Sequence, residues 1–273
     1  MRGRTMITTD EVVIDESNIL DVLRRSHALH VKNANDIEYL INYEKGDQPL
    51  QRKKTYRPDI DCQCSDNVAN EVTEFNTGFK WGNAITLVQT GDGSDEEISE
   101  AVSELNKQYA MARIKAKTQE LGRYVEICGI CNVYVDINME WRKGKPLFEL
   151  DVLDPRSSFV VRSSYYPDKR IMLGVTYRHD SISGNTYYTC YTKDQRFEVV
   201  NLQSEVTSPS KWAHMERSGE ENPLHIVPIT EYIRSYDRMG AWERYIDEMD
   251  NLNLLISDFT NDVEQNTQAM WHT

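Results

Sequence analysis

The chain has 273 residues, 39% of them hydrophobic and 27% charged, which is enough apolar surface for a packed core and excludes wholesale disorder. Lys and Arg number 31 against 44 Asp and Glu, a formal charge of −13, which excludes wrapping nucleic acid by counterion release, a mechanism that needs clustered cations. No apolar run is long enough for a bilayer, no apolar signal core lies near Met1, and five cysteines do not make a disulfide framework, so the sequence reads as soluble and intracellular.

In chain order, residues 1–15 are polar and read as frayed. Ser17–Leu29 carries Ile19, Leu20, Leu23 and Ala28 at helical spacing, with Ser17 a candidate N-cap. A second helix is predicted over Asn35–Glu44 (Ile37, Leu40, Ile41), ending at Gly46. Gln48–Pro58 reads as an extended basic linker between Pro49 and Pro58. A third helix fits Asn67–Phe79, with Val68, Val72, Phe75 and Phe79 on one face. Ser94-Asp95-Glu96-Glu97 is a capping box that opens a fourth helix through Ile98, Val102 and Leu105. A fifth covers about Ala110–Ile127.

The hydrophobic period then shifts from about 3.6 residues to 2. Cys131–Ile137 alternates as a strand. Further strands are predicted over Leu147–Leu153, Phe159–Arg162, Ile171–Tyr177, Thr186–Thr192, Arg196–Leu202 and Ile226–Tyr232. Asp154-Pro155, Tyr166-Pro167-Asp168 and Ser183-Gly184-Asn185 supply turn chemistry between them. There is no internal repeat.

From Ala241 to Thr273 no Gly or Pro occurs. Trp242, Met249, Ile256, Val263 and Met270 recur every seven residues, and Tyr245, Leu252 and Phe259 follow three after the first three of them. This a/d seam predicts one continuous helix from about Asp237 to Met270, on the order of 50 Å long, facing other helices. Ile246, Leu254 and Leu255 widen its apolar side. With Trp242 at position a, Glu243, Asp250 and Glu264 fall at b, Asp258 at c and Asp247 at f. These acidic residues are expected to face water or a channel, with Glu243, Asp250 and Asp258 solvent-exposed. The whole is α+β: N-terminal helices, a mostly antiparallel sheet, then one long C-terminal helix.

Chemistry-bearing motifs are sparse. Gly91-Asp92-Gly93-Ser94 lacks the Lys of a phosphate loop and reads as a turn into a capped helix. Cys62-Gln63-Cys64 and Cys128-Gly129-Ile130-Cys131 offer four thiolates to zinc. However, Cys128 ends an apolar helix and Cys131 begins a strand, where cysteine behaves as a small hydrophobe. His27 and His30 have no acidic partner at helical spacing, and no nucleophile motif occurs. Arg52-Lys53-Lys54 with Tyr56 and Arg57 suits either a phosphate contact or a solvated linker, the latter preferred. No catalytic residue, cofactor or metal ligand is assigned.

The order of several local strings resembles the portal proteins of tailed bacteriophages, of the siphophage type. Asn42–Leu50, Thr77–Thr86, Gly122–Asp136 and Leu150–Arg156 are similar to successive stretches of that family. The most specific run is Asn222–Tyr232, then Arg238-Met239-Gly240, then Ser257–Glu264. Ala84 stands where the family commonly has Pro, and Asp61–Ser65 replaces a more basic stretch. The resemblance implies a segment 1–34 with one helix, a wing-like α+β domain over 35–235 and a stem-like helix over 236–273. The clip, second stem helix and crown of longer portals have no counterpart here. It further implies a non-enzymatic ring, dodecameric in the full-length family, at one capsid vertex. Double-stranded DNA would pass through that ring without sequence specificity during packaging and ejection. Implied partners are the terminase, the major capsid and scaffolding proteins, and head-completion or tail adaptor proteins, with no membrane. The implied location is the virion, and the host cytoplasm during assembly. Trp242, Tyr245, Met249, Leu252, Ile256, Phe259 and Val263 would form the seam between stems. The alternative is an unrelated cytoplasmic α+β scaffold joined by a C-terminal coiled coil, and a weaker third reading is a zinc-dependent nucleic-acid enzyme built on the cysteines.

Overall fold

One helix ties the fold together. α1 (Ile19–Glu44) runs for 26 residues, about 39 Å, uninterrupted through the two helices predicted separately and through the boundary expected at residue 34. Its inward face recurs at helical spacing from Ile19, Val22 and Leu23 through His30 and Asn33 to Ile37, Leu40, Ile41 and Glu44. His30 and Asn33 read as a break in the sequence because they are polar. In the fold they are buried and paired. The Asn33 amide accepts from Thr5 N at 2.9 Å and donates to Thr5 O at 2.8 Å, and His30 Nε2 lies 3.0 Å from Arg156 O. A computed structural model describes residues 3–50, 61–90, 96–138, 140–165, 167, 169–202 and 213–269. The basic run Arg52–Arg57, the Gly91–Ser94 turn with its cap, and Met270 lie outside these residues.

Two sheets meet α1. The larger has the order β1 (Thr8–Thr9), β4 (Ser158–Ser163), β5 (Ile171–Asp180), β6 (Asn185–Tyr191), β7 (Gln195–Val200) and β8 (His214–Glu221), all antiparallel except the β1–β4 pair. The smaller places β2 (Ile130–Ile137) between β3 (Phe148–Leu153) and β9 (Ile229–Ile233), antiparallel throughout. The N-terminal half of α1 packs Ile19, Val22 and Leu23 against Phe159, Val161, Leu173, Val175, Phe197 and Val199 of the larger sheet. Its C-terminal half packs Ile37, Leu40, Ile41 and Tyr43 in a second core with Ile127, Cys128, Ile130 and Trp242.

Several expectations need correction. Residues 3–14 are not frayed: Arg4, Ile7 and Ile14 are buried, and Thr8 pairs with Arg162. β8 has no counterpart among the predicted strands. His214–Glu221 is an edge strand with a single apolar side chain, Met215, on the first core, so no alternation marked it. α2 (Val68–Trp81) buries Ala69 and Thr73, while Phe75 and Phe79 stack on each other on the outside. α3 (Glu96–Met111) buries no residue, and its apolar Ile98 and Leu105 are exposed. α4 (Ile114–Cys128) ends near its predicted end but starts four residues late, since Ala110 and Met111 belong to α3 and Arg113 adopts a left-handed φ of 55° between them. The rod starts late: after a bent segment, a 3₁₀ turn (Glu243–Tyr245) leads into α5 (Ile246–Ala269), so Asp237–Trp242 is not helical. Among the described residues, no helix is long and apolar enough to cross a membrane.

The buried His30 makes docking of α1 sensitive to acid. Its ring stacks on Phe159, and burial pulls its imidazole down to about 4 from an ordinary value near 6.5. The unfolded chain takes up this proton first. Stability is therefore intact above pH ~6.5 and falls as pH drops toward 4, by up to about 1.4 kcal/mol per pH unit. Burial depresses His27 in the same direction. Urea unfolding at about pH 7, 5.5 and 4.5 should follow this decline, with a flatter profile in His30→Gln.

Candidate functional site at the C-terminal helix

α5 is positioned by what lies immediately before it. Arg238 adopts φ 58°, and its backbone carbonyl accepts from Arg4 N at 3.1 Å. Gly240 must be glycine for space: a Cβ there would sit 2.1 Å from the Ile127 carbonyl oxygen. Trp242 then drops into the second core, stacks on Tyr43 at 5.4 Å and donates its indole N–H to Thr73 Oγ1 at 2.9 Å. These constraints turn the chain sharply, which is why the helix cannot begin at Asp237.

A buried ion pair locks the turn. Arg4 contacts Glu243 with both side chains fully shielded from solvent. The Arg4 guanidinium also donates to Cys128 O at 3.1 Å, and the second Glu243 oxygen accepts from Gly240 N at 2.9 Å. Around it stand two more buried carboxylates. Glu231 pairs with Arg162 and Arg238, and Glu126 pairs with Lys80 and Arg234. Glu243, expected on a solvent face, is thus an internal anchor, because Trp242 carries it inward.

The next turns of α5 hold an extended segment, Asp61–Asp66. Asn253, Ser257 and Asn261 are buried at four-residue spacing and form one row. Asn261 accepts from Cys62 N at 2.8 Å and donates to Cys62 O at 3.3 Å. Ser257 accepts from Cys64 N at 3.0 Å and donates to Cys64 O at 3.1 Å. Asn253 accepts from Asp66 N at 2.8 Å and donates to Gln48 Oε1 at 2.7 Å. Two residues of extended chain advance about 6.7 Å and four residues of helix about 6.0 Å, so the two rows nearly match in antiparallel sense. The Cys62 thiol lies 3.3 Å from Glu264, and its hydrogen bond to that carboxylate pushes it above its ordinary value. Cys128 and Cys131 are buried in the cores.

The predicted seam therefore divides. Trp242 and Met249 are buried inside this chain, and Ile256 is half-buried. Tyr245, Leu252, Leu255, Phe259 and Val263 form a stripe on the adjoining flank, between 40% and 72% exposed. The acidic residues divide too. Asp247 and Asp258 are exposed, and Glu264 is half-buried. Asp250 is half-buried and accepts from the Tyr43 hydroxyl at 2.7 Å, which together with burial raises the Tyr43 pKa and keeps it a donor. Sequence reasoning missed Arg4 and the Asn253–Ser257–Asn261 row. The row's signal was there, since three hydrogen-bonding side chains at i, i+4, i+8 in a helix face Cys62, Cys64 and Asp66 at i, i+2, i+4.

α5 is thus an amphipathic C-terminal helix with an exposed apolar stripe, fastened to an α+β body at its start and along one face. The family model described as "Phage portal protein, SPP1 Gp6-like" matches residues 29–272. This chain belongs to the phage portal protein family. The match spans α1 from Leu29, both sheets beyond β1, and α5, and it removes the ground for the coiled-coil scaffold reading. Portal proteins are structural, non-enzymatic components of the virion capsid that assemble as oligomeric rings. No curated protein matches the chain. In this portal protein the match starts beyond Arg4 and β1, so the clasp on α5 is supplied from outside the matched region.

Replacing Arg4 with Met strands a buried carboxylate. It should cost about 3–5 kcal/mol in denaturant unfolding, and adding Glu243→Gln should recover most of that loss.

Proposed function

We propose that this chain is the subunit of a ring at one capsid vertex through which double-stranded DNA is packaged and ejected, with α5 as its stem element. The uncovered stripe Tyr245, Leu252, Leu255, Phe259 and Val263 carries this reading. Contiguous exposed apolar surface of this kind marks an interaction site, and each such side chain contributes about 1.5–3 kcal/mol when covered by a neighbour. The neighbour is a second copy, whose α5 or body packs on the stripe. Trp242 and Met249 fix the helix to its own subunit and leave Tyr245, Leu252, Phe259 and Val263 of the seam, joined by Leu255, for the neighbour.

The acid balance supports a conduit. From Glu231 to Thr273 there are nine acidic and three basic residues, and with Glu231 and Glu243 paired inside, Asp247, Glu248, Asp258 and Asp262 are the exposed acids. Each gripped phosphate strengthens binding that a moving duplex must break, and a surface of this sign grips few. The terminase, the major capsid and scaffolding proteins, and head-completion or tail adaptor proteins are the partners such a ring serves. Its places are the virion vertex and, during assembly, the host cytoplasm.

Phe259→Asp and Leu252→Asp put charges on exposed positions and should leave the circular dichroism spectrum unchanged while abolishing self-association in light scattering. Association equal to the unmodified chain would overturn the reading. Duplex DNA at physiological salt should not be retained in a gel shift, and tight, steeply salt-dependent binding would contradict the conduit.

A further inference from the structure

The hairpin between β5 and β6 ends in an apolar knob. Ile182 sits in the Ser181–Gly184 turn and is 97% exposed, at a place where turn chemistry favours small polar residues. The turn is locked from within. Asp180 accepts from Ile182 N at 3.0 Å and from the Ser183 hydroxyl at 2.7 Å, and Gly184 N donates to Asp180 O at 2.8 Å. Gly184 adopts φ 68°, the left-handed conformation that closes such a turn. The isoleucine is thus presented on a narrow, pre-ordered support. Pre-ordering lowers the entropy lost when a side chain is captured.

At the other end of the same strand lies a socket. A cleft of about 570 Å³ opens where β5 begins. Val12, Val13, Ile14, Ile171 and Met172 make its apolar wall. Val12 and Val13 are at least half exposed. Lys193, Asp194, Glu221 and His225 lie on its rim and are mixed in sign, so they orient an incoming segment more than they attract it. β5 is ten residues long, so knob and socket stand about 30 Å apart, and no chain can fill its own socket.

A closed ring of identical subunits has heterologous contacts: each copy offers two different patches on opposite flanks, one meeting the other on its neighbour. Resting on the ring reading above, we infer that Ile182 of one copy seats in the Val12–Val13–Met172 socket of the next. This contact would join the bodies of adjacent subunits, separately from the α5 stripe. The occupant is a second copy because a closed ring of identical chains joins two unlike flanks, and this chain carries an exposed branched apolar side chain on a pre-ordered turn at the far end of the strand that builds the socket.

The test is the full chain carrying both Val13→Cys and Ile182→Cys, oxidised mildly and run on a non-reducing gel. The expected result is a ladder of cross-linked copies, absent from each single variant, which also controls for the half-exposed Cys62 and Cys64. Ile182→Asp and Val13→Asp should each weaken self-association by at least about tenfold, and together no more than either alone, because they remove one shared contact. Oligomers that form without the cross-link, or that both aspartate variants leave intact, overturn the knob and socket while the ring reading stands. A chain that remains monomeric at all concentrations overturns both.

Discussion

The backbone of an extended segment must find hydrogen-bond partners even where no strand lies beside it, and this protein meets that demand with short polar side chains on helices. A buried N–H or C=O left unpaired costs about 1–3 kcal/mol. Asn33 answers both polar groups of Thr5, Asn261 both of Cys62, and Ser257 both of Cys64. Each donates and accepts as a neighbouring strand residue would. Without the first pairing the N-terminal strand would not reach β4, and Arg4 would not reach Glu243. Without the others, Asp61–Asp66 would have no lane along α5.

The ionic cluster beneath the bend has a different role. Four buried carboxylates, Glu44, Glu126, Glu231 and Glu243, each face at least one arginine. Desolvating such pairs offsets most of their attraction, so they add little net stability. Their effect is positional. Any other exit angle for α5 would separate Arg4 from Glu243 or lift Trp242 from its stack on Tyr43, and each alternative leaves a charge or an indole N–H without its partner. The left-handed Arg238 is tolerated because its side chain is held by Glu231 and its carbonyl by Arg4.

What was legible in the sequence follows from what each element touches. β3, β6 and the second half of β2 alternate because one face meets a core, whereas β4 and the middle of β5 are buried at consecutive positions and were readable as short apolar runs. β8 sends one apolar side chain, Met215, to the core, which is too few to make a pattern. α1 hid its continuity because its middle buries His30 and Asn33, which resemble a loop until their partners, remote in sequence, are known. The heptad of α5 was real in spacing but mixed two destinations. Its early a positions, Trp242 and Met249, enter the subunit's own core, while its d positions Tyr245, Leu252 and Phe259 point away. A repeat of seven cannot say whether one partner or two lies across it. The family resemblance escaped this limit because it rested on the order of strings along most of the chain.

The lane between α5 and Asp61–Asp66 behaves like a vernier. Its two scales advance about 6.0 and 6.7 Å per rung, so register slips by about 0.7 Å at each step. Three rungs absorb that slip. The bond from Asn261 to Cys62 O, at 3.3 Å, is already the longest among them. A fourth rung would carry a cumulative error of about 2 Å, beyond hydrogen-bond tolerance. The mismatch of two regular lattices therefore caps the length over which this subunit can fasten its own helix with one straight strand. Past Asn261 the same segment reaches α5 through a side chain instead, the Cys62 thiol on Glu264, a contact that needs no backbone register.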